Sequence, residues 1–155
     1  MKIGISADHA GLEQKEKILD LLKQAEFEVK DFGALRYDSE DDYPDVVTPL
    51  AQAVSNKEIV KGIAICGSGV GVSIAANKFP GVRAALISET YSAHQGVEHD
   101  DMNLICIGGR VLGTSLIWEI IQSFLEAKFQ QEDRFVRRLK KVIAIEEQNF
   151  NNSKQ

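Results

Sequence analysis

Residues 62–71 are the most informative segment of the chain and read Gly62-Ile63-Ala64-Ile65-Cys66-Gly67-Ser68-Gly69-Val70-Gly71. The apolar run over 62–65 has the length expected of a strand that is buried on both faces of a sheet. It stops at Cys66, where a Gly-rich loop begins, and the alanines within 73–78 favour a helix after that loop. The segment therefore predicts a buried strand, a tight loop and a helix in succession.

The same succession of strand and helix recurs along the chain. Apolar runs predict further strands at 2–6, 27–32, 82–87 and 104–107, and helical spacing of apolar residues predicts helices at 12–22, 46–54, 73–78, 91–98 and 117–129. Such alternation implies parallel strands joined by helices on both faces. We predict an α/β chain with a three-layer Rossmann-like fold, a five-stranded parallel sheet and an extra C-terminal helix over 133–148.

Length and composition indicate one soluble domain. The chain has 155 residues, of which 44% are hydrophobic and 26% charged, a balance typical of globular proteins. We place the domain at 1–148 and expect the polar residues 149–155 to fray. The net charge of -5 disfavours nucleic acid and acidic membranes as partners. Two cysteines and the lack of a long apolar stretch favour a reduced, cytoplasmic protein without a membrane span.

The Gly-rich loop is the first candidate for a binding site. Its three glycines allow backbone N–H groups to converge on an anion, such as a phosphate or an enediolate, beside the positive N-terminus of a helix. A tight turn without any ligand is the alternative. The loop lacks the lysine of a Walker loop, and Glu89 after the next strand keeps a dinucleotide site open as a weaker option.

Cys66 stands immediately before this loop, where a helix N-terminus favours the thiolate form. A thiolate at this position could act as a base. The alternative is a small buried apolar residue, and we expect that role for Cys106 inside its predicted strand. A cysteine phosphatase is disfavoured because Val72 and Ser73 stand where the arginine of such a loop is needed.

Polar residues near the ends of two other strands could complete a site. Asp8 and His9 follow the first predicted strand, and a second group precedes the fifth and consists of His99, Asp100, Asp101 and Asn103. We expect both groups at the carboxyl edge of the sheet, where Cys66 lies. His99 can exchange a proton near neutral pH with a carboxylate to orient it, although a single histidine in a loop is more often a surface residue. We assign His94 to the surface.

Other charged groups are open to two interpretations. Arg134, Arg137 and Arg138 could bind a phosphate, but a solvated helix face is the usual meaning of such a cluster. The acidic residues at 38 and 40–42 would repel phosphate, so we place them outward. The segment Tyr43-Pro44-Asp45 is expected to supply turn and capping chemistry, with Asp45 as the cap.

Several ordered motifs together resemble type B ribose-5-phosphate isomerases through about residue 148. They are Ser6-Ala7-Asp8-His9-Ala10-Gly11, Asp42-Tyr43-Pro44-Asp45, Ile65 to Gly71, Ser73-Ile74-Ala75-Ala76-Asn77-Lys78, Gly81-Val82-Arg83-Ala84-Ala85, Tyr91-Ser92-Ala93, His99-Asp100-Asp101-Met102-Asn103 and Gly108-Gly109-Arg110-Val111-Leu112-Gly113. The resemblance implies interconversion of D-ribose 5-phosphate and D-ribulose 5-phosphate, a step of the pentose phosphate pathway. It implies no cofactor and no metal, and a homodimer with shared active sites, while pairing into a tetramer stays open.

The resemblance also implies roles for individual residues. Cys66 would move a proton between C1 and C2 of the open-chain sugar, His99 would open the ring or donate a proton, and Asp8 would stand close by. Ser68, where the family commonly has threonine, would keep its hydroxyl hydrogen bond. The implied enediolate-binding backbone belongs to Gly67, Gly69, Val70 and Gly71, the implied phosphate ligands are His9, Arg134 and Arg138, and Arg110 and Asn103 would line the site.

Two departures from the family pattern concern the substrate. Asp100 stands where asparagine is usual, and Phe135 stands where histidine often follows the arginine that matches Arg134. An isomerase of a hexose 6-phosphate, such as allose or galactose 6-phosphate, is therefore the nearest alternative. Galactose-6-phosphate isomerases resemble this fold but typically combine two different subunits, whereas here one chain carries Cys66 and His99. A nonenzymatic phosphosugar sensor is a further alternative.

Overall fold

The computed structural model describes residues 1–152 of the chain. Strands and helices alternate along it, as the sequence predicts, in the order β1 (Ile3–Ala7), α1 (Leu12–Gln24), β2 (Val29–Asp31), α2 (Tyr43–Ser55), β3 (Lys61–Cys66), α3 (Val70–Ala76), β4 (Ala84–Leu86), α4 (Thr90–Asp100), β5 (Leu104–Gly108), α5 (Thr114–Glu126) and α6 (Asp133–Asn152). None of these helices has the length and apolar content that crossing a membrane requires.

The five strands form one parallel sheet in the order β2-β1-β3-β5-β4. The register pairs Ile5 with Ile63 and Ile63 with Ile105, so β1, β3 and β5 run side by side through the centre. Because parallel strands end at the same edge, the loops after β1, β3 and β5 emerge next to one another. This strand order determines which loops can share a site.

Alternate residues of the central strands pack against opposite layers of helices. Ile63 and Ile65 of β3 belong to a core shared with α1, α4 and α5, and Ala64 and Cys66 belong to a core shared with α2 and α3. Both isoleucines are fully buried, and each such side chain contributes about 1.5–3 kcal/mol through burial of apolar surface. The prediction of a three-layer α/β fold with a five-stranded parallel sheet is confirmed.

Helix ends differ from the predictions where side chains or proline determine them. Helix α2 begins at Tyr43 with Asp42 at the N-cap position, so the expectation that Asp45 caps it is wrong. Pro44 in the first turn needs no hydrogen-bond acceptor and fits that start. Helix α5 ends at Glu126, where the Lys61 ammonium donates to the carbonyl oxygens of residues 124, 125 and 127 at 2.5, 3.2 and 2.8 Å.

The extra C-terminal helix α6 is present and packs on α4. Phe135 in its first turn is 1% exposed, whereas Val142 is 51% exposed. The helix continues to Asn152, so residues 149–152 of the predicted tail are helical. The predicted tail residues 153–155 lie outside the described residues.

Candidate active site

The Gly-rich loop connects β3 to α3 and packs closely against β4 and β5. Gly69 adopts a φ of +80°, and a Cβ there would lie 2.6 Å from Leu86 Cδ1 and 2.9 Å from the carbonyl carbon of Ile107. Only glycine combines a left-handed backbone with so little space at low cost. The loop is therefore fixed in one course beside the end of β5.

Cys66 ends β3 at the start of this loop. The residue is 4% exposed, and its Sγ accepts a hydrogen bond from the Gly69 N–H at 3.1 Å. The exposed Ser68 accepts a hydrogen bond from the Val70 N–H through Oγ at 3.3 Å. An N–H group aimed at sulfur is a contact that a thiolate accepts well, so Cys66 is placed to take up a proton.

Asp8 follows β1 and lies beside the end of β3. The residue is 7% exposed, and its Oδ1 accepts hydrogen bonds from the N–H groups of Ala10 and Gly11, both at 3.0 Å. Burial raises the pKa of Asp8, and the Gly11 N–H opposes this change. A Cβ on Gly11 would lie 2.4 Å from the carbonyl oxygen of Ile65, so glycine allows the loop after β1 to cross β3 closely.

These loops surround a pocket of about 560 Å³ at the carboxyl edge of the sheet. It contains a thiol, a carboxyl group, an imidazole and a guanidinium from the loops after three neighbouring strands. Its lining comprises Asp8, His9, Ala10, Tyr43, Cys66, Gly67, Ser68, Gly71, Arg110 and Val111. Gly69 and Val70, also predicted from the sequence, belong to the same loop. The pocket can thus combine cations for an anionic group with a thiol for proton transfer.

Two residues near the pocket lie where the sequence does not predict them. The sequence predicts turn chemistry for Tyr43, but its ring lines the pocket, and a Cβ on Gly71 would lie 2.8 Å from that ring. The acidic residues at 38 and 40–42 were placed outward, and this is wrong for Asp41. Its side chain is 14% exposed and its Oδ1 contacts His9 Nδ1 at 2.5 Å. Asp41 is 32 residues from His9, so no local pattern indicates this pair.

The second predicted group lies at the opposite edge of the sheet. Asn103 O accepts a hydrogen bond from the Gly62 N–H at 2.8 Å, next to the start of β3, whereas Cys66 is its last residue. The expectation that His99, Asp100, Asp101 and Asn103 share the carboxyl edge with Cys66 is therefore wrong within one chain. Residues that precede a strand lie at its amino end, and parallel strands begin at the same edge.

The Asn103 side chain is engaged in local hydrogen bonds. Its Oδ1 accepts from the Arg83 N–H at 2.8 Å, and its Nδ2 donates to Gly81 O at 2.8 Å. These contacts tie the segment before β4 to the start of β5. They account for the amide as a structural group, and its role in lining a site stays a prediction.

His99 and the predicted arginines form a second cluster around the start of α6. The His99 ring stacks on Phe135 with 4.0 Å between ring centroids, and its Nδ1 lies 2.8 Å from Gln95 Nε2. The Arg134 guanidinium lies over the Phe135 ring, with 4.4 Å between Cζ and the ring centroid. Its Nε pairs with Glu132 Oε2 at 3.1 Å. Arg138 and Asp100 are exposed nearby on α6 and α4. Phe135 thus holds His99 and Arg134 on one surface.

Asp8, His9 and Asp41 have potential metal-ligating atoms within 4.8 Å of one another. The His9 Nδ1 and Asp41 Oδ1 atoms already form a direct contact, and Asp8 Oδ1 already accepts two N–H groups. We therefore interpret the three side chains as groups already engaged in hydrogen bonds, Asp8 with backbone N–H groups and His9 with Asp41. Cys106 is fully buried, and burial raises the pKa of its thiol, in agreement with a structural role.

Solved structures resemble the chain over nearly its whole length. A structure of ribose-5-phosphate isomerase B from Clostridium thermocellum is 44% identical with a TM-score of 0.91, covering 96% of this chain and 99% of its own. The Mycoplasma genitalium enzyme of that name, solved with bound ribulose-5-phosphate, is 40% identical with a TM-score of 0.88, covering 94% and 96%.

Two relatives found by sequence carry different names. The ribose-5-phosphate isomerase B of Escherichia coli is 41% identical over 94% of this chain and 97% of its own. The D-erythrulose-4-phosphate isomerase of Pectobacterium atrosepticum is 38% identical over 84% and 86%. The family model described as Ribose/Galactose Isomerase matches residues 3–142. With this match and these identities, the chain belongs to the ribose/galactose isomerase family and is an isomerase.

Proposed function

We propose that the chain is a homodimeric aldose-ketose isomerase that interconverts D-ribose 5-phosphate and D-ribulose 5-phosphate. One observation carries the proposal: Cys66 lines a pocket that also contains His9 and Arg110. The two basic side chains suit the phosphate of the substrate, and the thiol suits a proton carried on carbon. The names of several relatives support the pentose substrate.

Proton transfer between neighbouring carbons requires one base and a place for negative charge. The Cys66 thiolate removes the proton from C2 of the open-chain aldose, and the electron pair forms a C1–C2 double bond while O1 becomes anionic. N–H groups of the loop over 67–71 then face the enediolate, and one such donor stabilises a developing oxyanion by about 3–4 kcal/mol. Cys66 returns its proton to C1 and the O2 proton passes to O1, which leaves the ketose. No metal enters this scheme.

Opening of the furanose ring requires a second proton-transfer group. His99 is suited to this step because imidazole titrates near neutral pH, and Arg134 and Arg138 are suited to the phosphate. All three lie at the amino edge of the sheet, away from the Cys66 pocket of the same chain. We therefore propose that a second copy of the chain supplies them to each pocket.

An apolar surface beside the second cluster supports this assembly. Helices α4 and α6 and the edge strand β4 border a groove of about 660 Å³. Val142 and Ile145 of α6 line it and are 51% and 61% exposed. Apolar side chains gathered on one exposed helix face favour burial against another subunit. The groove is continuous with Asp100, next to His99.

Mixing two inactive variants tests the shared site. Cys66→Ala and His99→Asn are each expected to lose turnover. When the two variants pair at random, half of the dimers are mixed, and each mixed dimer contains one intact pocket. The mixture should recover about a quarter of the parent activity, because each mixed dimer of a two-fold assembly holds one fully altered and one unaltered pocket. No recovery in mixed dimers that light scattering shows to have formed would refute the shared site.

The substrate is tested by assaying purified protein with a metal chelator. Ribose 5-phosphate is compared with allose 6-phosphate, galactose 6-phosphate and D-erythrulose 4-phosphate, since the family description and one relative name other sugars. Preference for ribose 5-phosphate supports the proposal. Preference for another sugar phosphate would make that compound the assigned substrate and would implicate Asp100 in the difference. No turnover, with phosphosugar binding retained in Cys66→Ala, would indicate a sensor.

A further inference from the structure

Asp41 holds His9 at two points. Its Oδ1 accepts a hydrogen bond from the His9 backbone N–H at 3.1 Å and contacts the ring Nδ1 at 2.5 Å. A carboxylate oxygen only accepts, so Nδ1 must carry the proton in this contact. The Nε2 atom is then the ring nitrogen left for the pocket, and it donates a hydrogen bond only when the imidazole is a cation.

Burial makes Asp41 dependent on His9 for compensation of its charge. The Asp41 side chain is 14% exposed, and its Oδ2 is buried with no hydrogen-bond partner among the described residues. A buried carboxylate without a positive partner is costly. The protonated imidazole at 2.5 Å supplies that positive charge, so the pair favours a charged His9.

The segment that carries Asp41 is ordered by its own contacts. The Asp41 N–H donates to Asp38 O at 3.2 Å, and Asp38 Oδ1 accepts from the Glu40 N–H at 3.0 Å. The ring of Tyr37 meets the His9 ring edge-on at 6.1 Å between centroids. The loop between β2 and α2 therefore presents the carboxylate in a fixed direction and covers one side of the imidazole.

We propose that Asp41 is a positioning residue that fixes the direction and the positive charge of the His9 imidazole, so that the pocket presents Nε2–H as a cationic donor to the substrate phosphate. The proposal deepens the proposed function and rests on it for the identity of the anion. Asp41 acts through His9 and need not touch the substrate.

The groups around His9 shift its pKa in both directions. The hydrogen bond to Asp41 raises the pKa of His9, burial opposes this, and the nearby Asp8 carboxylate adds to the increase while Arg110 works against it. Glu13 and Glu16 of α1, with Tyr37, line a neighbouring pocket that His9 also lines. Since the pKa is raised, His9 stays cationic at pH values where an ordinary histidine is neutral, and it loses its charge as the pH rises through that raised pKa.

The test compares Asp41→Asn with Glu40→Gln. Both replacements remove one negative charge from the same loop, but Glu40 is exposed and its carboxylate accepts from Ser39 Oγ, whereas the Asp41 carboxylate contacts His9. The His9 ring nitrogens are followed by NMR against pH, with assignment from His9→Asn, and the dissociation constant of methyl phosphate is measured in the same samples. KM and kcat for ribose 5-phosphate are measured over the same pH range. Far-UV circular dichroism checks that each variant is folded.

In Asp41→Asn the His9 titration should move to lower pH. The dissociation constant of methyl phosphate and the KM for ribose 5-phosphate should both rise roughly tenfold, the usual effect of losing one charge-assisted hydrogen bond. The kcat should stay within about twofold, because Asp41 does not serve the proton transfer itself. KM should begin to rise at lower pH than in the parent. Glu40→Gln should match the parent in all readouts.

An unchanged His9 titration in Asp41→Asn would overturn the proposal, as would an equal change in Glu40→Gln. So would a shifted titration with unchanged affinity for methyl phosphate. The NMR titration and the methyl phosphate affinity do not require turnover. If the protein fails to isomerise ribose 5-phosphate, both still decide whether Asp41 controls the charge of His9.

Discussion

Replacing Lys15 by methionine should destabilise the fold although Lys15 does not line the Cys66 pocket. Lys15 is 2% exposed, and its ammonium donates to both Asp31 carboxylate oxygens at 2.8 Å and to Ala34 O at 2.6 Å. Asp31 also accepts from the Gly33 N–H at 2.9 Å. These contacts attach α1 to the end of β2, where the loop that carries Asp41 begins.

The magnitude follows from what each group loses. Breaking one partner of a buried ion pair costs about 3–5 kcal/mol. The Asp31 side chain is 23% exposed and keeps the Gly33 N–H, so water and that donor compensate part of the loss. We therefore expect Lys15→Met to lower the free energy of unfolding by about 3 kcal/mol, at the low end of that range. Asp31→Asn should cost a similar amount because the buried ammonium then loses its counter-charge.

Urea unfolding followed by far-UV circular dichroism measures these changes at one fixed protein concentration, since subunit association would alter apparent stability. Lys17→Met is the matched control on the same helix, because Lys17 is 48% exposed and pairs with the exposed Glu13. It should be indistinguishable from the parent. In the double variant Lys15→Met/Asp31→Asn, the cost should fall short of the sum by about 2 kcal/mol. Additive costs, or equal effects of the Lys15 and Lys17 replacements, would contradict the assigned ion pair.

Three further outcomes follow from the geometry. Gly69 and Gly81 both have positive φ, of +80° and +76°, but only a Cβ on Gly69 would clash, so Gly81→Ala should cost about 1 kcal/mol and keep turnover whereas Gly69→Ala should abolish it. Iodoacetamide should label Cys66 in the native protein, more slowly with ribose 5-phosphate present, and label Cys106 only after unfolding, as mass spectrometry would detect. Burial lowers the pKa of Lys61 to about 8. From there up to about 10.4 the unfolded chain holds a proton that the folded chain lacks, so stability measured by urea unfolding should rise with pH relative to Lys61→Met.

The strands and helices could be predicted because their signals are local. The run over 62–65 lies between a lysine and a Gly-rich loop, and its alternate residues fill cores on both faces of the sheet. Cys66 and the loop after it are contiguous in sequence, so their proximity needed no knowledge of topology. The carboxyl-edge position of Asp8 likewise followed from its place directly after a strand.

The remainder of the site depends on contacts that no local pattern contains. The prediction for His99 is wrong about the edge of the sheet because His99 precedes β5, and residues before a strand lie at its amino end. The contact of His9 with Asp41 joins two loops at the carboxyl edge, and the side on which β2 pairs with β1 cannot be read from periodicity. Tyr43 lines the pocket because α2 starts beside α3, where Gly71 leaves room for the ring.

The position of β5 inside the sheet has a consequence for synthesis of the chain. β4 leaves the ribosome before β5, yet among the strands of residues 1–152 β4 pairs only with β5, which lies between it and β3. Until residues 104–108 emerge, β3 therefore presents an open edge and β4 has no neighbour. Open strand edges are templates for pairing with other chains. The nascent protein is thus most exposed to aggregation just before its fifth strand arrives, and that strand closes the sheet and brings Arg110 to the pocket in the same event.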